Sequence, residues 1–177
     1  AINGEIVPGL ERQAAEAASR ASASGGKVSG LKISSNGGDL QEALKLGRLA
    51  RTLEWLVVVP QDSNCYSSCV LILAGGVSRH PLGKVGIHRP YLANGAATTS
   101  DARDAYASIR KDVTDFLQDG GIRTTLWDDM LNVPAEQIRE LSFPELEAYG
   151  LWGNDPSFEE KKARQQMQLY GIDRTEL

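Results

Sequence analysis

Apolar and polar positions alternate along the first half of the chain in a way that separates short strands from amphipathic helices. A short strand near Gly4–Val7 leads into an alanine-rich helix around Leu10–Ser22. Ser24-Gly25-Gly26 reads as a turn, and Val28–Ser34 as a strand with Leu31 and Ile33 on one face, the period-2 signature. The loop Ser34-Ser35-Asn36-Gly37-Gly38 is followed by a helix from Asp39, where Asp39 as N-cap and Glu42 three residues on form a variant of the capping box. Leu46, Leu49, Ala50 and Leu53 continue at helical spacing. Leu56–Val59 is a β-branched run stopped by Pro60, the pattern of a buried parallel strand.

The next unit repeats the order. Cys65 to Ser68 turns into an apolar helix that ends at Gly75-Gly76, and Lys84 to His88 reads as a strand closed by Arg89-Pro90. Arg79, His80 and Pro81 between them look like an exposed turn. A polar loop from Asn94 to Ser100 precedes a long helix with Ala102, Tyr106, Ile109, Val113 and Phe116 on one stripe, ended by Gly120-Gly121. The last third reads as helical, with Pro134, Pro144 and Pro156 each near a helix start, where proline is tolerated. Strands alternating with helices predict an α/β fold. With 177 residues, no repeat and no linker, one domain over 1–177 is expected.

Composition narrows the function classes. Hydrophobic residues make up 41% and charged residues 24%, close to a soluble average. No apolar run approaches the ~18 residues of a membrane helix, so no membrane span is expected. Nineteen Lys+Arg against 23 Asp+Glu leave a net charge of −4 with the basic residues scattered, which argues against nucleic-acid binding. The chain holds two histidines, His80 and His88, and two cysteines, Cys65 and Cys69. Their spacing does not match zinc-ligand patterns, and neither a metal nor a cofactor is expected. Ala1-Ile2-Asn3-Gly4 lacks the basic and apolar regions of a signal peptide, as a processed chain also would.

Three segments carry candidate chemistry. Ser35-Asn36-Gly37-Gly38-Asp39 sits at a strand end that opens a helix, where paired glycines allow positive φ and present backbone N–H groups to an approaching oxygen; an ordinary strand-to-helix turn would read the same. Tyr66-Ser67-Ser68-Cys69 places a serine near the start of a buried helix, in the positive field of the helix end, as a nucleophile or as a helix cap. Gly86-Ile87-His88-Arg89-Pro90 puts a histidine at a strand end, as a base or as a structural side chain. His80 looks exposed and less specific.

In this order the segments resemble the Clp protease proteolytic subunit and, more broadly, the Clp-protease/crotonase fold of repeated β-β-α units. The match runs from about 4 to 151, leaving 152–177 as a helical extension. Ser35-Asn36-Gly37-Gly38 is similar to the family's Ser-Pro-Gly-Gly turn, Tyr66-Ser67-Ser68-Cys69 to its Ala-Ser-Met-Gly helix start, and Gly86-Ile87-His88-Arg89-Pro90 to its Met-Ile-His-Gln-Pro strand. Leu141-Ser142-Phe143-Pro144-Glu145 and Glu147-Ala148-Tyr149-Gly150-Leu151 resemble its Leu-Ser-Ala-Pro-Glu-Ala and Glu-Tyr-Gly-Leu stretch. The resemblance implies a serine hydrolase acting on peptides or proteins, with Ser67 as nucleophile, His88 as general base, and the Gly38 and Ser68 N–H groups as oxyanion hole. It also implies a homo-oligomer. A non-catalytic peptide- or partner-binding protein and an acyl-thioester enzyme of crotonase type are the rival readings.

The family's aspartate falls at about Ile138, which cannot orient an imidazole; Glu136, Glu140, Asp128 and Asp129 lie nearby, and spacing does not choose among them. A Ser-His dyad, a relocated acid and an inactive site are all compatible with that. Cys65 and Cys69 give a Cys-x-Ser-x-Cys core similar to that of a bacterial, periplasmic group of such proteins. Four helical positions rise about 6 Å, within the ~4.4–6.8 Å Cα range of a disulfide, and Cys65 precedes the helix, so a bridge is expected; two buried thiols are the alternative. The bridge and that resemblance point to a periplasmic or secreted location, against the cytoplasmic one otherwise expected.

Overall fold

Residues 1–90 and 99–171 are described by a computed structural model, 99–106 and 108 by backbone alone. In chain order the elements are β1 (Ile2–Asn3), α1 (Leu10–Ala23), β2 (Gly30–Ser34), α2 (Leu40–Thr52), β3 (Leu56–Val59), β4 (Asn64–Tyr66), α3 (Cys69–Gly75) and β5 (Ser78–Pro81). There follow β6 (Lys84–Ile87), α4 (Thr99–Asp119), α5 (Thr125–Asn132), β7 (Arg139–Glu140), α6 (Phe143–Tyr149), β8 (Gly153–Asn154) and α7 (Pro156–Tyr170).

Two sheets form. The larger has the order β1-β2-β3-β5-β8, parallel except for the antiparallel edge strand β8. The smaller has the order β4-β6-β7, with β4 and β6 parallel and β7 antiparallel. A parallel bridge between Ser35 and Cys65 joins them: the Ser35 N–H donates to the Asn64 carbonyl and the Tyr66 N–H to the Ser35 carbonyl. Period-2 burial decides which side chains face inward. Leu31 and Ile33 on β2, Val57 and Val59 on β3, and Cys65, Val85 and Ile87 on the smaller sheet are buried.

Helix α3 is buried at all seven residues, as an apolar helix with no polar face must be. It crosses α2 at a glycine pair: a Cβ on Gly75 would lie 2.2 Å from the Gly47 carbonyl oxygen, so only hydrogen fits. α4 closes the core with Val113, Phe116 and Leu117, while α7 buries none of its residues.

Several expectations shift. The strand expected near Gly4–Val7 is β1 at Ile2–Asn3, and Ile6 makes only an isolated bridge to Gly38. Thr99 and Ser100 are helical rather than loop, whereas Asn94 through Ala97 and Thr98, like 172–177 of the C-terminal extension, fall outside the described residues. On the α4 stripe, Ile109 is half-buried and Val113 and Phe116 are buried, but Ala102 and Tyr106 belong to the part described by backbone alone. Pro144 and Pro156 open helices, but Pro134 lies in a turn. Asp39 does cap α2, accepting the Glu42 N–H at 2.7 Å. Glu42 does not close the box: its carboxylate accepts the N–H groups of Gly9 and Glu11 at 3.0 and 2.7 Å and so caps α1 instead.

The largest correction is β5. Arg79 is fully buried, and its guanidinium donates to the carbonyls of Ala74, Gly150 and Gly120 at 3.2, 2.8 and 2.6 Å. These carbonyls lie at the C-terminal ends of α3, α6 and α4, where helices leave acceptors unmatched. One planar fork thus satisfies three helix ends.

Arg79→Met should leave those carbonyls buried and unpaired, costing about 3 kcal/mol or more in a urea titration. At α6, Ser142 and Glu145 form a capping box. The Ser142 hydroxyl and N–H, with Arg139, bring the Glu145 carboxyl down to about 2. Its contribution is fully present above the ordinary value of 4.5 and is lost as pH falls through about 2. Melting temperatures of wild type and Glu145→Gln should therefore differ at pH 6 and converge towards pH 2.

Candidate active site

Ser67 joins β4 to α3 in a left-handed conformation, φ 58°. That geometry costs a non-glycine residue about 1–2 kcal/mol and persists only where neighbours impose it. Here they do. The Ser67 N–H donates to the Gly86 carbonyl at 3.0 Å, and its own carbonyl accepts the Val70 N–H at 3.1 Å. Cys65 and Cys69, both fully buried, are joined by a disulfide with Cα atoms 5.2 Å apart, closing a loop around Ser67 and Ser68. Neither serine caps the helix with its side chain. The Ser68 hydroxyl donates to the Gly38 carbonyl at 3.1 Å.

That bond ties the elbow to the glycine turn. Gly37 and Gly38 have φ of 108° and 144°. A Cβ on Gly37 would stand 2.7 Å from the Ser67 Cβ, and one on Gly38 2.2 Å from the Ile6 carbonyl oxygen. The Ser35 hydroxyl accepts the Gly37 N–H at 3.0 Å, and Asn64 donates to the Asn36 side chain at 2.5 Å. Ile6 pairs with Gly37 and Asp39, its N–H to the Gly37 carbonyl and its carbonyl to the Asp39 N–H. The Gly38 N–H therefore points away from Ile6. Among the described residues, no acceptor takes the N–H of Gly38 or of Ser68.

His88 follows β6 and is buried. Its Nδ1 lies 2.8 Å from the Arg89 carbonyl oxygen. A carbonyl only accepts, so Nδ1 carries the proton of this bond. Arg89 is itself held by its N–H on the Val133 carbonyl at 3.0 Å. The acids that spacing left open have other partners: Asp128 pairs with Arg110 at 2.8 Å, Asp129 accepts the Tyr149 hydroxyl, and Glu140 accepts from Tyr66 and Lys84 at 2.7 and 2.9 Å. Tyr66 and Lys84 hold Glu140 below the usual carboxylate range. Glu136 is exposed. Ile138 packs over Gly86, where an added Cβ would lie 2.6 Å from its methyl.

Ser67, Ser68, Gly38 and His88 line one cavity of about 1150 Å³. Ile6, Val7, Pro8, Leu40, Pro90 and Ile109 give it apolar walls. His80 lies elsewhere, exposed on β5 and stacked on Trp152 at 5.9 Å. Among the described residues, no cluster of three or more His, Cys, Asp or Glu could hold a metal.

No protein-family model matches the sequence, and no curated protein matches it. Solved structures do. The 1510-N membrane-bound stomatin-specific protease, as an alanine mutant, superposes with a TM-score of 0.60 at 18% identity over 92% of this chain and 81% of that one. A second mutant of it, in complex with a substrate peptide, gives 0.60 and 18% over 85% and 70%. A mutant ClpP1 from Listeria monocytogenes gives 0.60 and 16% over 85% and 86%. The chain has a Clp-protease-like fold.

In this Clp-protease-like fold, three features in and around the cleft are not announced by the sequence. The Ser68-to-Gly38 bond spans 30 positions, and Glu42 reaches α1 across 31 and more. The Arg89 carbonyl is a backbone group, with no side-chain signature to find.

Strain at the elbow predicts a difference between two variants. Ser67→Gly should be about 1 kcal/mol more stable than Ser67→Ala in a denaturant titration, because glycine adopts the left-handed region without penalty.

Proposed function

We propose that the protein is a serine peptidase. The observation that carries this is the left-handed Ser67, placed with His88 in one cleft beside the turn of Gly37 and Gly38. In the reaction the Ser67 hydroxyl attacks the scissile carbonyl carbon as its proton passes to His88 Nε2. The carbonyl π pair moves onto oxygen, and the N–H groups of Gly38 and Ser68 receive that charge. Each such donor is worth about 3 kcal/mol of barrier in comparable enzymes. The tetrahedral species expels the amine, which takes the proton from His88, and water then hydrolyses the acyl-serine by the same path. The Arg89 carbonyl accepts from His88 Nδ1 and so helps to orient the ring. It is neutral, and so stabilises an imidazolium less than a carboxylate would.

Structural relatives that are proteases, one of them in complex with a substrate peptide, support the reaction class. The Cys65–Cys69 bridge supports a periplasmic or secreted location. The resemblance in fold also supports assembly as a homo-oligomer. A second reading, a peptide-binding protein without turnover, is favoured by one observation: Asp128, Asp129 and Glu140 are engaged away from the cleft.

Labelling with a serine-reactive fluorophosphonate separates the two. Peptide mapping should place the adduct on Ser67, and Ser67→Ala should abolish it. His88→Ala should slow labelling by orders of magnitude, whereas His80→Ala leaves it nearly intact. An adduct on Ser68, or unlabelled wild type, overturns the peptidase assignment.

A further inference from the structure

Between Gly4 and Pro8 the backbone alternates like a strand. Ile6 turns into the core, at 1% exposure, while its neighbours Glu5 and Val7 are exposed and line the cleft. This segment is fixed from two sides. The pairing of Ile6 with Gly37 and Asp39 holds it against the glycine turn, and the Glu42 carboxylate anchors the start of α1 just beyond Pro8. Asp39 lines the same cleft. Its N–H donates to the Ile6 carbonyl at 2.8 Å, and its Oδ1 accepts the Glu42 N–H. Glu5 and Asp39 therefore stand on two adjacent, hydrogen-bonded stretches of backbone, next to the Gly38 N–H. No lysine or arginine is among the described residues that line the cavity. A cleft with apolar walls and charge of one sign concentrates ligands of the other.

We infer that this cleft selects peptides that carry a cationic nitrogen group close to the bound carbonyl, and that Glu5 and Asp39 are the residues that read it. The inference rests on the reading of the cleft as a peptide site. The cation has two chemical sources: a lysine or arginine side chain, or the free α-ammonium of a short peptide.

Fluorescence anisotropy with Ser67→Ala protein measures binding without turnover. Three peptides of one length suffice: an N-acetylated peptide with a single arginine, the same peptide with glutamine in its place, and the glutamine peptide with a free N-terminus. At low salt the arginine peptide, the free-amine peptide or both should bind about tenfold tighter than the neutral one, and whichever does so identifies the source of the charge. Pairs this exposed are individually weak, so Glu5→Gln and Asp39→Asn should each reduce the ratio about threefold. Asparagine keeps the cap on α2. The preference should shrink as salt is raised from 0.01 M to 1 M, where screening shortens from about 30 Å to 3 Å.

Equal binding of all three peptides, or a ratio that survives both substitutions, overturns the inference. The two readings fail separately. A protein that fluorophosphonate labels but that shows no charge preference keeps the peptidase reading and loses this one. A protein that resists labelling yet prefers cationic peptides through Glu5 and Asp39 does the reverse.

Discussion

Everything in the cleft hangs on a serine held in a backbone conformation that serine disfavours. The left-handed turn at Ser67 swings the chain from β4 towards α3, with Ser68 as the cap residue, and sets Ser67 outside both elements in the lining of the cavity. The cost is met locally, by the bond to Gly86, the Ser35 bridge and the disulfide, each of which constrains a different flank of the turn. Because Gly37 presses against Ser67 with no room for a side chain, the conformation of the serine also sets the place of the glycine turn. The Ser68 hydroxyl on Gly38 closes the circuit, so the serine elbow and the glycine turn that line the cavity are bonded to each other.

A second constraint acts from outside the cleft. Arg79 gathers the ends of α3, α4 and α6, and the Asp155 carboxylate beside it takes Arg51 at 2.6 Å and both donors of Ser157. Burial works against the charge on Asp155, but the bonds from Ser157 and Arg51 outweigh it and keep its carboxyl below the ordinary range. These charged groups tie the C-terminal third to the larger sheet alongside its apolar packing, in which Leu126, Trp127, Met130 and Leu146 are buried. Helix α7 itself contributes no buried residue.

How much of this could be read from the sequence follows from the range of each interaction. The elbow at Ser67, the glycine turn and the Asp39 cap are made by neighbours within a few residues, and the pattern of residue types announces them. β5 is not legible, because Arg79, His80 and Pro81 have turn-like composition, and only the helix ends that Arg79 meets explain its burial. Glu42 misleads for the same reason. It stands at the capping-box position, yet α1 offers it two N–H groups that local sequence does not show. The Arg89 carbonyl at His88 Nδ1 is the least visible, since every residue owns a carbonyl.

The crossing of α2 and α3 at Gly47 and Gly75 carries a consequence for how the chain tolerates change. α2 begins at the glycine turn and α3 at the serine elbow, and the two helices touch where backbone meets backbone. Eight residues of helix separate Asp39 from Gly47, about 12 Å of rigid rod. A methyl group added at the crossing would pry the rods apart, and the rods would carry that displacement to the mouth of the cleft. A variant altered only there would present as a defect of chemistry although nothing near the serine had been touched, so a survey of functional lesions in this fold has to include its tightest internal joint as well as the residues that meet the ligand.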